Sequence, residues 1–201
     1  MGKTKRKSNK PSIETLTNLL APLQALQDLI SEFRDQGVII GGVAASLLGT
    51  PRFTVDIDAV FLLNLEDILK LLEKAAKLGI EPRITDPVAF AHKTRMLLLS
   101  HSASGTNIDI SLGILPFEFE MVERSRMVDI GQTKVRLPTP EDLIIMKVIA
   151  HRSKDLEDIQ AIAESYPILD IEYLRLWLNR FGEALDLPYL WDEIQRLILK
   201  S

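Results

Sequence analysis

The stretch from Gly41 to Asp58 constrains the fold more than any other part of the sequence. A glycine pair, Gly41 and Gly42, directly follows the apolar run 38–40, and the stretch ends with the acidic pair Asp56 and Asp58. Residues i and i+2 of a strand point to the same face, so the two carboxylates share one face. Glycines allow a tight turn in which backbone N–H groups approach a phosphate, and close carboxylates repel unless a cation lies between them. The pattern predicts a phosphate-binding turn and a Mg²⁺-binding strand, which suggests phosphoryl or nucleotidyl transfer.

A third aspartate, Asp109, lies in the predicted strand 107–112. A glycine pair, an Asp-x-Asp and a later acid, in this order, resemble the nucleotidyltransferase superfamily with the polymerase-beta-like fold. The form Gly-Gly-x-Ala…Gly-x-x-Arg-x-Thr-x-Asp-Ile-Asp is most similar to the small bacterial branch that includes the AbiEii/AbiGii-type toxins. Segment 147–158, with its Lys-x₄-Arg-x-Lys-Asp-x-x-Asp pattern, is also similar to that branch. The resemblance covers residues 37–160.

The resemblance implies a fold, an activity and catalytic residues. The fold is a mixed α/β (α+β) core with a mixed sheet. Asp56 and Asp58 would ligate both of two Mg²⁺ ions, and Asp109 only the ion that activates the attacking hydroxyl. The enzyme would move an NMP from an NTP to an acceptor hydroxyl and release pyrophosphate. The implied acceptor is an RNA or tRNA end or a protein, and the implied partner is an antitoxin, as in toxin–antitoxin systems.

Other residues near the motif are candidates for binding the phosphates of the nucleotide. Gly41 and Gly42 form the turn, and Ser46 lies on the short helix that follows it. Ser46 either contacts phosphate or hydrogen-bonds to its own helix backbone. Arg52 either neutralises triphosphate charge through its planar guanidinium or forms a structural ion pair. Thr54 is expected to orient one of the carboxylates.

Lys147 interrupts a helix that is otherwise apolar. On an unbroken helix, four polar side chains would lie within about 80° of one another: Lys147, His151, Asp155 and Asp158. This stripe is either the solvated face of an amphipathic helix or part of the site. In the functional interpretation, Lys147 contacts the triphosphate and Asp155 orients Lys147 or Arg152. Asp158 then has a supporting role.

Composition and charge predict three regions and a cytoplasmic location. Residues 1–11 form a basic flexible tail, which either keeps the chain in solution or contacts nucleic acid. Residues 12–137 form the nucleotidyltransferase core, and residues 138–201 form a C-terminal helical module. The 201-residue chain has no cysteine, which excludes disulfides and thiolate catalysis. It has no uncharged apolar run long enough to cross a bilayer, so no membrane association is expected.

Hydrophobic periodicity predicts the secondary structure. Ser12 is expected to cap the first helix, Pro22 to kink or split it, and Gly37 to end it. Thr139 and Pro140 predict the start of a later helix. Helices are predicted at 13–36, 43–48, 65–78, 86–92, 116–123, from 139 onwards, 156–165, 171–181 and 188–199. Strands are predicted at 38–40, 53–63, 80–84, 95–100, 107–112, 126–130 and 134–137.

Three other interpretations fit the sequence. The segment 56–60 also resembles the Asp-x-Asp-x-Val motif of haloacid-dehalogenase-like phosphatases, although that motif normally ends an uninterrupted apolar strand, and here residues 50–54 precede it. The chain could also be a nucleotide-binding or partner-binding module without activity. The acids could merely protect a strand edge from aggregation. Turnover of an aryl phosphate would identify the phosphatase, and nucleotide binding without transfer would identify the module.

Overall fold

The computed structural model describes residues 13–51, 54–131 and 133–198, which form a mixed α/β structure. Its helices are α1 (Ile13–Glu32), α2 (Gly41–Leu48), α3 (Ile68–Lys77), α4 (Pro87–Thr94), α5 (Pro116–Arg124), α6 (Pro140–Ala150), α7 (Ser153–Ser165), α8 (Ile171–Leu185) and α9 (Leu190–Ile198). Its strands are β1 (Gly37–Ile40), β2 (Asp56–Phe61), β3 (Ile80–Pro82), β4 (Met96–His101), β5 (Thr106–Leu112), β6 (Arg126–Asp129) and β7 (Lys134–Leu137). A 3₁₀ turn (Leu65–Asp67) precedes α3.

Five strands form one mixed sheet in the order β1-β2-β5-β4-β3, and β6 pairs with β7 in a separate hairpin. β2 and β5 are parallel, whereas the other neighbouring strands are antiparallel. The registers place Ile40 opposite Asp58, Asp58 opposite Asp109, and Leu98 opposite Asp109. Side chains that are directly opposite one another share a face of the sheet. The predicted acidic residues therefore belong to one face.

The other face of the sheet forms the core. Along β5, Ile108, Ile110 and Leu112 are buried, as their alternation with polar residues predicts. On β2, the ring of Phe61 packs edge-to-face against Phe33, just beyond α1, with a centroid distance of 6.3 Å. Burial of each large side chain contributes about 1.5–3 kcal/mol. Because apolar packing holds this face, the opposite face is left to carry polar chemistry.

A network around Tyr173 joins the C-terminal helices to the core. The hydroxyl of Tyr173 on α8 donates to Asp142 Oδ1 on α6 at 2.6 Å, and Asp142 is fully buried. The guanidinium of Arg124 on α5 lies 3.9 Å from the centre of the Tyr173 ring. Burial and the hydrogen bond to Asp142 raise the pKa of Tyr173. Helices α5, α6 and α8 are thereby held in one arrangement, which sets the position of α6 over the sheet.

The first helix differs from its prediction in three ways. It runs without interruption through Pro22, so the predicted split is wrong. The apolar side chains around Pro22 are buried, and this packing outweighs the lost backbone hydrogen bond. The helix ends at Glu32, because Arg34 and Asp35 have left-handed φ values of 56° and 60°. Gly37 begins β1 instead of ending the helix. Ser12 and the basic tail lie outside the described residues.

The other predicted elements are present with shifted ends. β2 begins at Asp56, three residues later than predicted. Thr139 caps α6 by accepting a hydrogen bond from the Asp142 amide at 3.2 Å, as predicted. In the part of the chain that the structure describes, no helix is both long enough and apolar enough to cross a membrane.

Candidate active site

Asp58 and Asp109 lie directly opposite each other on the parallel strands β2 and β5. Asp56 lies in the neighbouring row opposite Asn107, whose side-chain amide donates to Asp56 Oδ1 at 3.2 Å. Asp56 is exposed, whereas Asp58 and Asp109 are partly buried. The three acids therefore lie on one face of adjacent strands, and the Asp58–Asp109 pair is at the centre of the group.

The surroundings of Asp58 disfavour the charged form of its carboxyl group. Burial raises its pKa, and the charges of Asp109 and Asp56 raise it further. The charges of Arg152 and Lys147 lower it, but they do not cancel the increase. A raised carboxyl pKa means that the local environment disfavours the charged form. A bound cation would relieve this cost, so the position has the electrostatics expected of a metal-binding acid.

Gly41 fits against the carboxylate of Asp58, and no larger residue does. A Cβ atom at Gly41 would lie 2.0 Å from Asp58 Oδ2, and the residue has a φ of +67°. α2 begins at Gly41, and Ile40 supplies no side-chain cap to its first turn. The uncapped N–H groups and the positive end of the helix dipole are therefore next to the acids, where a phosphate can bind.

The other predicted phosphate-binding residues have different outcomes. Ser46 Oγ donates to the carbonyl of Gly42 at 2.9 Å. This is the hydrogen bond to its own helix backbone that the sequence predicted as one of two options. Thr54 Oγ1 donates to the backbone carbonyl of Asp56 at 3.3 Å, and its role in orienting a carboxylate stays a prediction. Arg52 lies outside the described residues.

The predicted unbroken helix around Lys147 is wrong. His151 has a φ of +47° and ends α6, and α7 begins at Ser153. The carboxylate of Asp155 accepts a hydrogen bond from the backbone N–H of Arg152 at 3.3 Å, which helps to start α7. His151 is exposed at the corner between the helices. The two helices therefore meet at a turn, and His151 does not lie in a stripe with the other three side chains.

Lys147, Asp155 and Asp158 form a buried ion cluster. Lys147 Nζ lies 2.9 Å from Asp155 Oδ1 and 2.6 Å from Asp158 Oδ2. All three side chains are at most 6% exposed, so the solvated-face interpretation is wrong. Arg152 Nε also donates to Asp155 Oδ2, at 2.8 Å. Burial raises the pKa of Asp155, but the hydrogen bonds from Arg152 and Lys147 outweigh burial and lower it.

A cleft separates the acidic face of the sheet from α6. It has a volume of about 170 Å³, with Asp58 and Asp109 on its floor. Lys147 and Arg152 line the opposite side. Apolar side chains complete the wall, among them Met96, Leu143 and Met146. Anionic groups on one side and cationic groups on the other suit a ligand that carries both a divalent cation and phosphates.

Arg83 belongs to the site but was not identified from the sequence. It follows β3, and its guanidinium forms an ion pair with Asp109. The only sequence signal was a basic residue within the predicted strand 80–84. The contact depends on the order of strands β3, β4 and β5 in the sheet, which local sequence patterns do not reveal.

The acidic residues fit a divalent cation in their chemistry, and the strand register places two of them opposite each other. Within the described ranges, no group of three or more His, Cys, Asp or Glu side chains has the arrangement of a complete metal site. Asp58 and Asp109 nevertheless face each other directly, and a guanidinium already contacts Asp109. Carboxylate oxygens are the ligands that Mg²⁺ prefers in proteins. These two acids are therefore the residues that would hold an ion, with Asp56 beside them.

The comparison with known proteins identifies the family. The sequence profile of the family described as "nucleotidyltransferase of unknown function (DUF6036)" matches residues 14–183. The chain belongs to this nucleotidyltransferase family. The match extends from α1 into α8 and therefore includes all three acids, Gly41 and the buried ion cluster. The enzyme class predicted from the motif is confirmed, whereas the finer likeness to AbiEii-type toxins stays a prediction.

Solved structures of nucleotidyltransferase-like proteins share the fold of this family member. An antigenic nucleotidyltransferase-like protein from Paracoccidioides brasiliensis has a TM-score of 0.56 and 17% identity, covering 89% of this chain and 94% of its own. The antibiotic-resistance factor ANT(2'')-Ia has a TM-score of 0.55 and 15% identity, covering 86% of this chain and 95% of its own. At these identities the likeness is one of fold. No curated protein matches the sequence significantly.

Proposed function

We propose that this protein is a Mg²⁺-dependent enzyme that transfers an NMP from an NTP to an acceptor hydroxyl. The observation that carries the proposal is the Asp58–Asp109 pair, set on adjacent parallel strands against Gly41 at the start of α2. Asp56, Asp58 and Asp109 would hold the metal, which when bound would neutralise charge on the phosphates and activate the attacking oxygen. Two ions are proposed, in keeping with the resemblance to the superfamily.

The protein's own groups position the substrate and balance its charge. The acceptor oxygen forms a bond to the α-phosphorus of the NTP, while the bond from that phosphorus to the bridging oxygen of the β-phosphate breaks. Pyrophosphate leaves with that electron pair, and the hydroxyl proton passes to solvent. The backbone N–H groups at Gly41 and Gly42 would bind phosphate oxygens. Lys147 and Arg152 would face the phosphates from the other side of the cleft.

The proposed role of Lys147 depends on the geometry of its partners. Its ammonium has three N–H donors, and Asp155 and Asp158 accept two hydrogen bonds from it. The two carboxylates thus fix the ammonium at the cleft wall, where Lys147 lines the pocket. Asp155 also holds Arg152. This arrangement supports a role for Asp155 and Asp158 in orienting the cations that meet the triphosphate.

The proposed acceptor is an RNA or tRNA 3′ end, or a protein in a toxin–antitoxin system that has an antitoxin partner. This part of the proposal rests on the sequence resemblance to the AbiEii/AbiGii branch. The apolar lining of the cleft, with Met96, Leu143 and Met146, supports binding of a base or of another flat ring next to the acids.

Labelled-nucleotide transfer tests the proposed function. The protein is incubated with each labelled NTP, Mg²⁺, and either total RNA or cell extract, and the labelled polymer is identified. We expect label on one class of acceptor. Asp58→Asn and Asp109→Asn should each lower transfer at least about a hundredfold. Asp28→Asn is the matched control, because Asp28 is exposed on α1 and lies outside the cleft lining.

The fold of the inactive variants must be verified in the same experiment. Asp58→Asn removes a charge that burial and neighbouring carboxylates disfavour. It should therefore leave the midpoint of thermal unfolding unchanged or higher. Equal transfer by wild type and Asp58→Asn would refute the proposal. Release of phosphate from an aryl phosphate, lost in Asp58→Asn, would instead support the phosphatase interpretation.

A further inference from the structure

We propose that Arg83 occupies the cation position at Asp109 in the metal-free protein and competes with the metal for that carboxylate. The inference rests on the proposed metal dependence of the transfer reaction. It assigns to Arg83 the role of a positioning residue that sets the affinity of the site for its ion.

The backbone brings Arg83 to the acids. The N–H of Arg83 donates to the carbonyl of Leu98 at 3.0 Å, which extends the β3–β4 pairing by one residue. Leu98 is in turn directly opposite Asp109 on β5. Two strand spacings, together about 10 Å, therefore separate Arg83 from Asp109 along one row of the sheet. An extended arginine side chain spans this distance, and its guanidinium makes an ion pair with Asp109.

The charges around the acids explain why a cation is needed there. Asp109 faces Asp58, and the two carboxylates repel each other, which is one cause of the raised pKa of Asp58. Lys147 and Arg152, on the other side of the cleft, are already hydrogen-bonded to Asp155. Among residues 13–51, 54–131 and 133–198, Arg83 is the cation that makes an ion pair with an acid of the cleft floor.

The position of Arg83 has a consequence for metal binding. The guanidinium holds Oδ1 of Asp109, which is one of the two oxygens that this carboxylate could offer to a divalent ion. A divalent ion held by this carboxylate would have to displace the guanidinium from Oδ1 or share the negative charge of Asp109 with it, and either cost would lower the affinity for the metal. Both side chains are only about one-quarter to one-third exposed, so solvent screens the pair incompletely.

The test measures metal affinity directly, with Mn²⁺ as the probe and electron paramagnetic resonance or calorimetry as the readout. Arg83→Gln should bind Mn²⁺ about fivefold more tightly than wild type, because the competing ion pair is absent. Arg83→Lys retains the charge but lacks the planar guanidinium, and it should also bind Mn²⁺ more tightly than wild type. Arg175→Gln is the matched control, because Arg175 pairs with Glu172 on the surface of α8.

Thermal unfolding provides a second, independent readout. In EDTA, Arg83→Gln should unfold at a lower temperature than wild type, because the repulsion between Asp58 and Asp109 is then no longer offset by the guanidinium at Asp109. In saturating Mn²⁺ this difference should shrink, since the ion replaces the guanidinium. If Arg83 had a purely structural role, Arg83→Gln would bind Mn²⁺ as tightly as wild type. The difference in unfolding temperature between the two proteins would then be the same in EDTA and in Mn²⁺.

The outcomes separate this inference from the proposed function. If wild type binds Mn²⁺ and Asp58→Asn does not, but the Arg83 variants bind it no more tightly than wild type, competition is refuted and metal-dependent transfer stands. If no variant binds Mn²⁺, with or without NTP, both proposals fail. Should Arg83→Gln not fold, Arg83→Lys decides the question by the same measurements.

Discussion

Replacing Gly41 with alanine tests the closest packing in the site. The new Cβ would lie 2.0 Å from Asp58 Oδ2, 2.8 Å from its Cγ and 2.9 Å from its Cβ. All three distances are below 3.0 Å, so the side chain of Asp58 must move. The φ of +67° adds a second cost, because an L-residue in the left-handed region loses about 1–2 kcal/mol. Forcing Asp58 out of its rotamer adds about 1 kcal/mol.

Gly105 provides a matched control for the backbone contribution. It has a φ of +68°, and a Cβ there would meet no atom within 4 Å. The only cost of Gly105→Ala should therefore be that of placing an L-residue in the left-handed region. This cost should lower the melting temperature by about 4 °C for a chain of this size. Gly41→Ala should lower it by about 7 °C. Differential scanning calorimetry of both variants in EDTA gives the comparison.

Transfer activity and Mn²⁺ binding complete this test. Gly41→Ala displaces Asp58, so the variant should bind Mn²⁺ more weakly than wild type even at temperatures where it is fully folded. Below its melting temperature, Gly105→Ala should have the transfer activity and the Mn²⁺ affinity of wild type. Equal melting temperatures for the two variants, together with wild-type Mn²⁺ affinity for Gly41→Ala, would show that Gly41 and Asp58 do not pack as tightly as described.

Three further predictions concern buried polar groups. Lys147→Met leaves two buried carboxylates without their ammonium and should lower the free energy of unfolding by about 3–5 kcal/mol in urea. Lys74→Met, which breaks an exposed pair with Glu32, should lower it far less. The lowered pKa of Asp155 contributes stability above its unfolded-state pKa that is lost as the pH falls, so the stability difference between wild type and Asp155→Asn should shrink between about pH 5 and about pH 3. Tyr173→Phe leaves its buried acceptor with one partner fewer and should cost about 1–3 kcal/mol in the same assay, with no change in Mn²⁺ affinity.

The placement of the acids and of the glycine turn could be predicted from the sequence, because both depend on residues that are close together in the chain. The i, i+2 spacing of Asp56 and Asp58 places them on one face of any strand, and the alternation in 107–112 does the same for Asp109. The glycine pair supplies the first two residues of the short helix α2. What local rules did not reveal was that β2 and β5 are neighbours and parallel, since pairing depends on the whole sheet.

Two features of the site escaped prediction for identifiable reasons. The break between α6 and α7 occurs at His151, which has a positive φ, and no glycine or proline marks this position in the sequence. The periodicity of Lys147, Asp155 and Asp158 was therefore interpreted as one helical stripe, whereas the residues meet through a turn. Arg83 escaped because its partner is on a strand two positions away in the sheet.

The parallel pairing of β2 with β5 also determines when the enzyme can become active during synthesis. The partners Asp56 and Asn107 are 51 residues apart in the chain, and β5 is bound on both sides, by β2 and by β4. Pairing over such a distance comes late in folding, because a long loop must close first. A nascent chain on the ribosome that has exposed only the glycine turn and the first two acids would therefore carry two of the three acids of the proposed catalytic centre, and we expect no nucleotide transfer before β5 has emerged and paired.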